Sequence, residues 1–224
     1  MERFIETFLK PSVIASTWPK ILDGMLITVE LGVAVVISGL ALGLVLALLR
    51  TAQLRPVNVV IVVCVDVLRA VPPLVMVLIV YFGLPNIGLT LPSFAVLWLV
   101  LALVLAAFAE EIFWAGILSV RRGQWDAARS TGLTFTETLA FVVLPQTVRM
   151  VLPPLVNRTI AITKNTALGT VIGVPELLNQ ATTQVSFLSN ATPLTMAANG
   201  YLIIFVPVVL FGSWLEQRYA FRKA

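Results

Sequence analysis

The chain has 224 residues, of which 59% are hydrophobic and 12% are charged, and its formal net charge is +4. Water-soluble domains carry about 25% charged residues, and so few charges cannot cover the surface around so large an apolar interior. The composition therefore excludes a soluble globular protein and predicts an integral membrane protein, with no nucleic-acid partner. The length allows one membrane domain of several helices and no separate soluble domain.

The residues that usually carry metal or disulfide chemistry are scarce. The sequence has no histidine, which is the commonest metal ligand, and its single cysteine, Cys64, lies within an apolar run. One cysteine supports neither a disulfide framework nor a zinc site, so we expect no metal and no catalytic residues. The N-terminus lacks a basic stretch followed by a short apolar core and a cleavage site, and we expect no cleaved signal.

Five apolar segments are predicted to cross the membrane as helices, because crossing about 30 Å of hydrocarbon takes roughly 20 apolar helical residues. The second segment is interrupted by Asp66 and Arg69. The fourth is the weakest, since it contains three basic residues and a proline pair near its start. The predicted spans cover about residues 25–49, 57–82, 91–110, 148–174 and 194–215.

The distribution of basic residues predicts the orientation of these spans. Cytoplasmic loops are enriched in Lys and Arg, and arginines cluster after the first, third and fifth spans. Arg121 and Arg122 either take part in the function of this loop or are topology determinants attracted to anionic lipid headgroups. The pattern predicts an extracytoplasmic segment at 1–23, a five-helix membrane domain at 24–216 with a cytoplasmic loop at 111–147, and a cytoplasmic tail at 217–224.

The loop at 111–147 contains a predicted short helix from Gln124 to Thr131. We expect Gly123 to break the chain before this helix and Gly132 to end it in the left-handed conformation. Asp126 is expected near the helix start, where a negative charge interacts favourably with the helix dipole. The two alanines after it would leave the helix surface flat, so that another protein can approach its backbone closely.

The sequence around this helix resembles a family signature. The run W-D-A-A-R-S-T-G-L, followed by V-V-L-P-Q, is similar to the E-A-A…G…L-P signature of ABC importer permeases. Further matching runs, in order, are L-R-A-V-P-P-L-V, A-E-E-I, L-P-P-L-V-N, K-N-T-A-L and P-E-L-L-N-Q. Together they resemble the polar amino-acid uptake branch. The resemblance implies an all-α integral membrane protein with five transmembrane helices and a cytoplasmic coupling helix, of the type-1 ABC importer permease class.

The resemblance also implies partners and residue roles. The chain would be a subunit in the bacterial inner membrane that binds a cytoplasmic ABC ATPase dimer, a second permease and an extracytoplasmic substrate-binding protein. ATP would be bound by the ATPase, because the chain has no G-x-x-x-x-G-K-[ST] loop; we expect no cofactor and no enzymatic activity here. The residues implied in ATPase coupling are Trp125, Asp126, Ala127, Ala128, Arg129 and Gly132.

Several positions depart from the family pattern. Asp126 stands where Glu is usual, which keeps the charge on a shorter arm, and Trp114 stands where Arg is common. In the K-N-T-A-L run, Asn165 replaces a frequent Asp and Ala167 replaces a Ser. A role that the family gives to that acid cannot be carried over to Asn165.

Charged residues near the second and third spans are candidates for function, because charges in a bilayer are costly and usually pair or line a wet cavity. Asp66 and Arg69 are three residues apart and share a helix face. They form either an ion pair that locks the helices or part of the translocation path. Glu110 and Glu111 close the third span, either as a solvated helix end or, for Glu111, as a brace for the coupling loop.

A second candidate for the path lies in the fourth span. Asn157 and Lys164 are seven residues apart and so lie on one helical face. Arg158, the residue after Asn157, lies beside this face. This polar face would line the translocation path or contact a second permease; alternatively, the span is misplaced and its ends lie in water. In the connector that follows, Glu176 belongs to a predicted amphipathic helix that either touches the gate or the binding protein, or only connects.

Two other classes of function are compatible with a membrane protein of this size. A membrane-embedded enzyme would need clustered catalytic groups within a span, and the lack of histidine and the isolation of each acid argue against it. A passive channel or scaffold would leave the helix at 124–131 without a purpose. The resemblance suggests a polar or charged amino acid, or a derivative such as an opine, as substrate. The sequence leaves the charge of the substrate and the homo- or heterodimeric state open.

The predicted orientation can be tested with single cysteines in a Cys64→Ala background. Cysteines in Gln124→Cys and Ala220→Cys should be shielded from a membrane-impermeant maleimide added outside, because both positions are predicted to be cytoplasmic. The cysteine in Ser186→Cys should react readily. Gel-shift labelling of intact cells measures this, and external labelling at position 124 would contradict the five-span topology.

Overall fold

The computed structural model describes residues 2–219, apart from the side chain of Tyr219; residues 220–224 of the predicted tail lie outside the described part. Within 2–219 all regular structure is helical, which confirms the all-α fold class. The α-helices are α1 Glu2–Phe8, α2 Pro11–Thr51, α3 Arg55–Ala70, α4 Pro73–Gly83, α5 Ser93–Ser119, α6 Arg122–Ser130, α7 Phe135–Thr138, α8 Leu144–Thr163, α9 Leu177–Leu188 and α10 Thr192–Tyr219.

Four helical stretches of the described chain are long and apolar enough to cross a membrane. The pair α3–α4, continued by a 3-10 turn to Ile87, qualifies as a fifth span if its two halves cross together, although they are bent by 103°. α2, which contains the first predicted span, is longer than that span. It begins at Pro11, a residue favoured in the first turn of a helix, and so includes part of the segment predicted to precede the membrane domain.

The proline pairs have different effects in the two spans that contain them. Pro72 has an extended conformation with ψ of 133°, and α4 starts at Pro73, so the predicted second span is broken between α3 and α4. Proline has no N–H to donate and disfavours a helical conformation in the residue before it. Pro153 and Pro154, in contrast, lie inside α8 without ending it.

The predicted fourth span combines three kinds of helix. A π-helical turn, Leu139–Val143, precedes α8. After Thr163 the chain continues as a nine-residue 3-10 helix, Lys164–Ile172, which ends at Gly173 with φ of 74°. Runs of 3-10 helix longer than 3–4 residues are uncommon, so Lys164 marks a real change of helical geometry.

Contacts divide the chain into two compact units, and the first comprises residues up to 37, 71–102 and 160–209. In this unit, the Thr28 hydroxyl oxygen accepts a hydrogen bond of 3.1 Å from the backbone N–H of Leu177, which ties the start of α9 to α2. The buried core around this contact consists of Ile21, Leu177, Ala181, Met196 and Ala197.

The second unit comprises residues 38–70, 103–159 and those from 210 onwards. Its apolar clusters join the C-terminal part of α2 to α5 and α8. One cluster consists of Ala47, Ala109, Phe113, Val151 and Leu155. A further cluster consists of Ile117, Val120, Leu139 and Val143. This unit contains α6, which the predicted coupling residues occupy.

Helices α2 and α5 approach each other closely within the second unit because small residues line their contact. Gly43 is buried, and a Cβ atom at this position would lie 2.6 Å from the Cβ of Ala109 and 2.8 Å from the carbonyl oxygen of Ala106. Ala47, one turn further along α2, has no exposed surface. Small residues spaced by four are a general means of close helix packing in membranes.

This close approach predicts an effect of Gly43→Ala. The added methyl group meets backbone and Cβ atoms that cannot move aside, so the free energy of unfolding should fall by about 1–3 kcal/mol. Titration with a denaturing detergent, followed by tryptophan fluorescence, measures the change. Gly83→Ala is the matched control, because nothing lies within 4 Å of a Cβ at Gly83. Equal stability of the two variants would contradict the packing argument.

Candidate functional site

The predicted coupling segment forms α6, with bounds that differ from the prediction. α6 begins at Arg122, so Gly123 lies within its first turn and does not break the chain before it. A glycine costs a helix only about 1 kcal/mol. Asp126 is the fifth residue of α6, so the predicted interaction with the N-terminal dipole, which is confined to the first turn, is wrong. Gly132 has φ of 96°, which confirms its predicted left-handed conformation.

The residues implied in ATPase coupling lie on two faces of α6. Ala128 is only 8% exposed, so the two alanines do not form one flat outer surface as predicted. The Trp125 ring stacks on Phe135 with centroids 5.4 Å apart and packs against the apolar cluster of α5 and the π-helical turn. Trp125 and Ala128 therefore anchor α6, and four coupling candidates are exposed: Asp126, Ala127, Arg129 and Gly132.

The second half of the signature contacts α6 directly. Gln146, from the V-V-L-P-Q run, donates from Nε2 to Oε1 of Gln124 at 3.4 Å. Between them, Thr134 and Glu137 form a capping box at the start of α7. The Thr134 backbone N–H, and then its hydroxyl, lower the pKa of the Glu137 carboxyl below its ordinary value. Glu137 belongs to the predicted cytoplasmic loop, outside the predicted spans.

Glu110 forms a buried ion pair that the sequence did not predict. Because α5 continues to Ser119, Glu110 lies inside the helix and its side chain has no exposed surface. Arg50, at the end of α2, donates from Nη1 to Oε1 of Glu110 at 2.8 Å. The Arg50 guanidinium also lies 4.7 Å from the centroid of Trp114. The expectation of a solvated helix end is therefore wrong for Glu110.

Glu111, the next residue, binds an arginine from a different helix. Arg69 of α3 places Nη2 2.5 Å from Oε2 of Glu111, whereas its Nη1 is 3.7 Å from Oδ1 of Asp66. The stronger partner of Arg69 is thus Glu111 rather than Asp66, whose side chain is 66% exposed. The guanidiniums of Arg69 and Arg158 also lie 5.4 and 3.8 Å from the ring of Phe108. Glu111 and Phe108 together hold both arginines against α5.

The remaining path candidates are exposed. Asn157 of α8 donates from Nδ2 to Oε1 of Glu216 in α10 at 2.5 Å. The sequence analysis missed Glu216 because it follows the predicted fifth span. Lys164 is exposed and opens the 3-10 helix, with its Nζ 6.0 Å from the ring of Phe205. The helical face predicted from seven-residue spacing therefore ends at Lys164.

Glu176, predicted to belong to a short amphipathic helix, is buried and lies directly before the first residue of α9. It caps the N-terminus of α9, where its carboxylate accepts hydrogen bonds from the backbone N–H groups of Leu178 and Asn179. The hydroxyls of Thr170 and Tyr201 donate to it at 2.6 and 2.7 Å. Four donors allow a carboxylate to be buried. Glu is not among the preferred N-cap residues, so the sequence carried no clear signal for this role.

Within residues 2–219 there is no group of three or more metal-ligating side chains. Several helices long and apolar enough to cross a membrane, with an exposed helix in the loop between two of them, are typical of a membrane-embedded protein. Residues 39–221 match the family of binding-protein-dependent transport system inner membrane components, and the chain belongs to this family. The family is the membrane component of such systems, a multi-pass permease, and ATP hydrolysis belongs to a separate subunit.

Several permeases of amino-acid transport systems align with most of this chain. The probable glutamine ABC transporter permease protein GlnM of Bacillus subtilis (strain 168) is 31% identical over 212 residues, which are 92% of this chain and 96% of that protein. The arginine transport system permease protein ArtQ of the same organism is 32% identical, over 89% of this chain and 92% of its own length. The L-cystine transport system permease protein TcyB, also of Bacillus subtilis, is 38% identical over 74% of this chain and 71% of that protein.

Solved structures agree with the fold. The crystal structure of an amino acid ABC transporter with histidines contains a chain that is 31% identical and superimposes with a TM-score of 0.83, over 92% of this chain and 96% of that one. The inward-facing MetNI methionine ABC transporter contains a chain that superimposes with a TM-score of 0.68 at 17% identity. The match covers 94% of this chain and 99% of that one. The latter likeness concerns the fold alone.

The buried pair Arg50–Glu110 predicts a large effect of removing one partner. Arg50→Met leaves a buried carboxylate without a cation, so the free energy of unfolding should fall by about 3–5 kcal/mol. Adding Glu110→Leu to Arg50→Met should recover most of this loss, because a buried ion pair and an apolar pair have similar net stability. Denaturing-detergent titration of the purified variants measures both effects.

Glu111→Gln is the control, because the Glu111 side chain is 48% exposed and exposed ion pairs contribute only about 0–1 kcal/mol. A loss for Glu111→Gln as large as that for Arg50→Met would show that burial does not decide the energy. No recovery in the double variant would show that the pair itself, and not the unpaired charge, determines stability.

Proposed function

We propose that the chain is the permease subunit of an ATP-driven importer that translocates amino acids across the bacterial inner membrane. The observation that carries this proposal is its likeness to permeases named for glutamine, arginine and cystine transport, two of them over about nine tenths of the chain. The family description supports the inner membrane as its location. The packing of Trp125, which leaves the outer face of α6 exposed, supports its role as the docking helix.

We propose a polar or charged amino acid, or a derivative such as an opine, as the substrate. The relatives are named for glutamine, glutamate, arginine and cystine, whose side chains include neutral, acidic and basic groups. This range supports the class of polar amino acids. ATP, in this proposal, is bound by a separate ATPase, and the subunit itself holds no cofactor.

The partners in this proposal are an ATPase dimer in the cytoplasm, a substrate-binding protein outside and a second permease, identical or different. The four exposed residues of the α6 segment support the first contact, because they are free to meet another protein. Five helices enclose too little space for a closed path, which supports the second permease. Trp125 and Ala128 take part indirectly, by fixing α6 to its unit.

For the translocation path we propose Asn157 and Lys164, which are exposed at positions within a predicted span. Exposed polar groups at this depth usually line a wet cavity. Arg158 and Arg69, two further path candidates, are engaged around Phe108 and Glu111. We assign these two arginines to holding the second unit together. Asp66, whose side chain is 66% exposed, stays a path candidate in this proposal.

The test is ATP-driven uptake of labelled amino acids by proteoliposomes that contain the permeases and the ATPase, with the binding protein added. Asp126→Lys reverses an exposed charge, and Gly132→Val places a β-branched residue at a positive φ. Both should reduce copurification of the ATPase and uptake by about tenfold, which corresponds to about 1.4 kcal/mol of binding energy. Normal uptake by both variants would contradict docking through α6.

Lys164→Ala should separate the path from docking. It should reduce uptake severalfold while the ATPase copurifies at the wild-type level, because Lys164 lies in the 3-10 helix and not on α6. Lys20→Ala, which removes an exposed lysine before the predicted first span, is the control and should transport normally. Wild-type rate and affinity in Lys164→Ala would remove this residue from the path.

A further inference from the structure

A cavity of about 300 Å³ lies where four elements of the second unit meet. The end of α2 contributes Thr51 and, just after it, Gln53, and α6 contributes Arg122 beside Trp125. Five further residues complete the lining: Trp114, Ile117, Leu118 and Val120 from α5 and its end, and Phe135 from α7. None of the four exposed coupling candidates, Asp126, Ala127, Arg129 and Gly132, lines this cavity.

The predicted topology puts this cavity at the cytoplasmic headgroup layer. It is formed by the C-terminal ends of α2 and α5, both of which cross the membrane in the prediction, and by the loop helices that follow. Leu118 is 63% exposed and Phe135 is 40% exposed at its margin, so the cavity opens between apolar side chains. Two tryptophans within it are typical of a membrane interface.

The charge of the cavity is positive. Among its nine described lining residues, Arg122 is charged and none is acidic. Within residues 2–219 no carboxylate forms an ion pair with Arg122. Arg50, which stacks on Trp114, is already neutralised by Glu110. A ligand of this cavity therefore gains most by bringing one negative charge to Arg122.

The polar groups beside Arg122 define the rest of the ligand. The Thr51 hydroxyl donates to the carbonyl of Leu48 at 2.6 Å, so its oxygen can accept a hydrogen bond from a ligand hydroxyl. The Gln53 amide supplies both a donor and an acceptor. A cavity of this volume is at the lower end of small-molecule sites, which suits a headgroup with its acyl chains outside, along Leu118 and Phe135.

We propose that this cavity binds the headgroup of an anionic phospholipid with hydroxyl groups, of the phosphatidylglycerol type. The phosphate contacts Arg122, the headgroup hydroxyls contact Thr51 and Gln53, and the glycerol backbone lies against Trp114 and Trp125. Since Trp125 anchors α6, the bound lipid supports the position of this helix. This last consequence rests on the proposed function, whereas lipid binding itself does not.

The chain offers a matched pair of variants for the test. Arg121 and Arg122 are adjacent, exposed arginines at the start of α6, but only Arg122 lines the cavity. Native mass spectrometry of the purified full-length chain counts bound lipids during titration with phosphatidylglycerol, phosphatidylcholine, phosphatidic acid or inorganic phosphate. The readout needs neither ATPase nor substrate, so it is independent of transport.

We expect one tightly bound phosphatidylglycerol, preferred over phosphatidylcholine and phosphatidic acid. Arg122→Gln should weaken its binding by about tenfold or more, which is the effect of losing a hydrogen bond to a charged group, while Arg121→Gln should retain the wild-type affinity. Leu118→Trp, which fills the mouth of the cavity without changing its charge, should also weaken binding. The third variant keeps the test valid if Arg122→Gln fails to fold.

Other outcomes would overturn the proposal. Equal losses in Arg121→Gln and Arg122→Gln would indicate attraction by surface charge alone. Unchanged binding in Leu118→Trp would place the lipid outside the cavity. Displacement of the lipid by inorganic phosphate would assign the site to a free anion, and equal affinity for all three lipids would indicate unspecific apolar contact.

Discussion

A carboxylate without any contact to solvent, Glu110, constrains the arrangement of the second unit. Burying an unpaired charge costs several kcal/mol, so the helix that carries Glu110 is stable only where a cation reaches it. That cation is Arg50, at the last turn of α2. The contact is within reach because Gly43 and Ala47 let α2 lie close to α5 over the two preceding turns. The small residues and the ion pair therefore depend on each other.

The neighbouring glutamate extends this arrangement to a third helix. Successive residues on a helix point about 100° apart, so Glu110 and Glu111 reach different neighbours, Arg50 on α2 and Arg69 on α3. The two acids thus hold the ends of both helices to α5. Eight residues after Glu111, α5 ends and the chain leads into α6. The packing of Trp125 and Ala128 then fixes α6 within this unit.

Features that depend on local sequence were predictable, and features that depend on distant partners were not. Hydropathy gave the apolar segments, and the glycine at position 132 indicated a left-handed residue. The burial of Glu110 depends on an arginine 60 residues away, so it looked like an exposed acid at a helix end. The burial of Glu176 was not predicted for the same reason, because Tyr201 and Thr170 complete its hydrogen bonds.

Proline was informative only where its surroundings allowed a break. The chain bends sharply at Pro72, yet Pro153 and Pro154 stay inside a helix. The sequence alone did not separate these cases, since neighbouring helices can compensate for the lost backbone hydrogen bonds within a membrane protein. The sequence also did not predict which of the coupling residues are exposed and which are buried. Which alanine faces inwards depends on the start of α6, which lies two residues before the predicted one.

The 3-10 helix Lys164–Ile172 makes this part of the chain longer than an α-helix of the same residues would be. Each residue rises about 2.0 Å in a 3-10 helix but about 1.5 Å in an α-helix, so the nine residues extend roughly 18 Å instead of roughly 13.5 Å. Gly173 and the Glu176 cap fix the C-terminal end of the segment. The 3-10 geometry therefore places Lys164 roughly 4.5 Å further from the Glu176 cap, along the helix axis, than an α-helix of the same nine residues would.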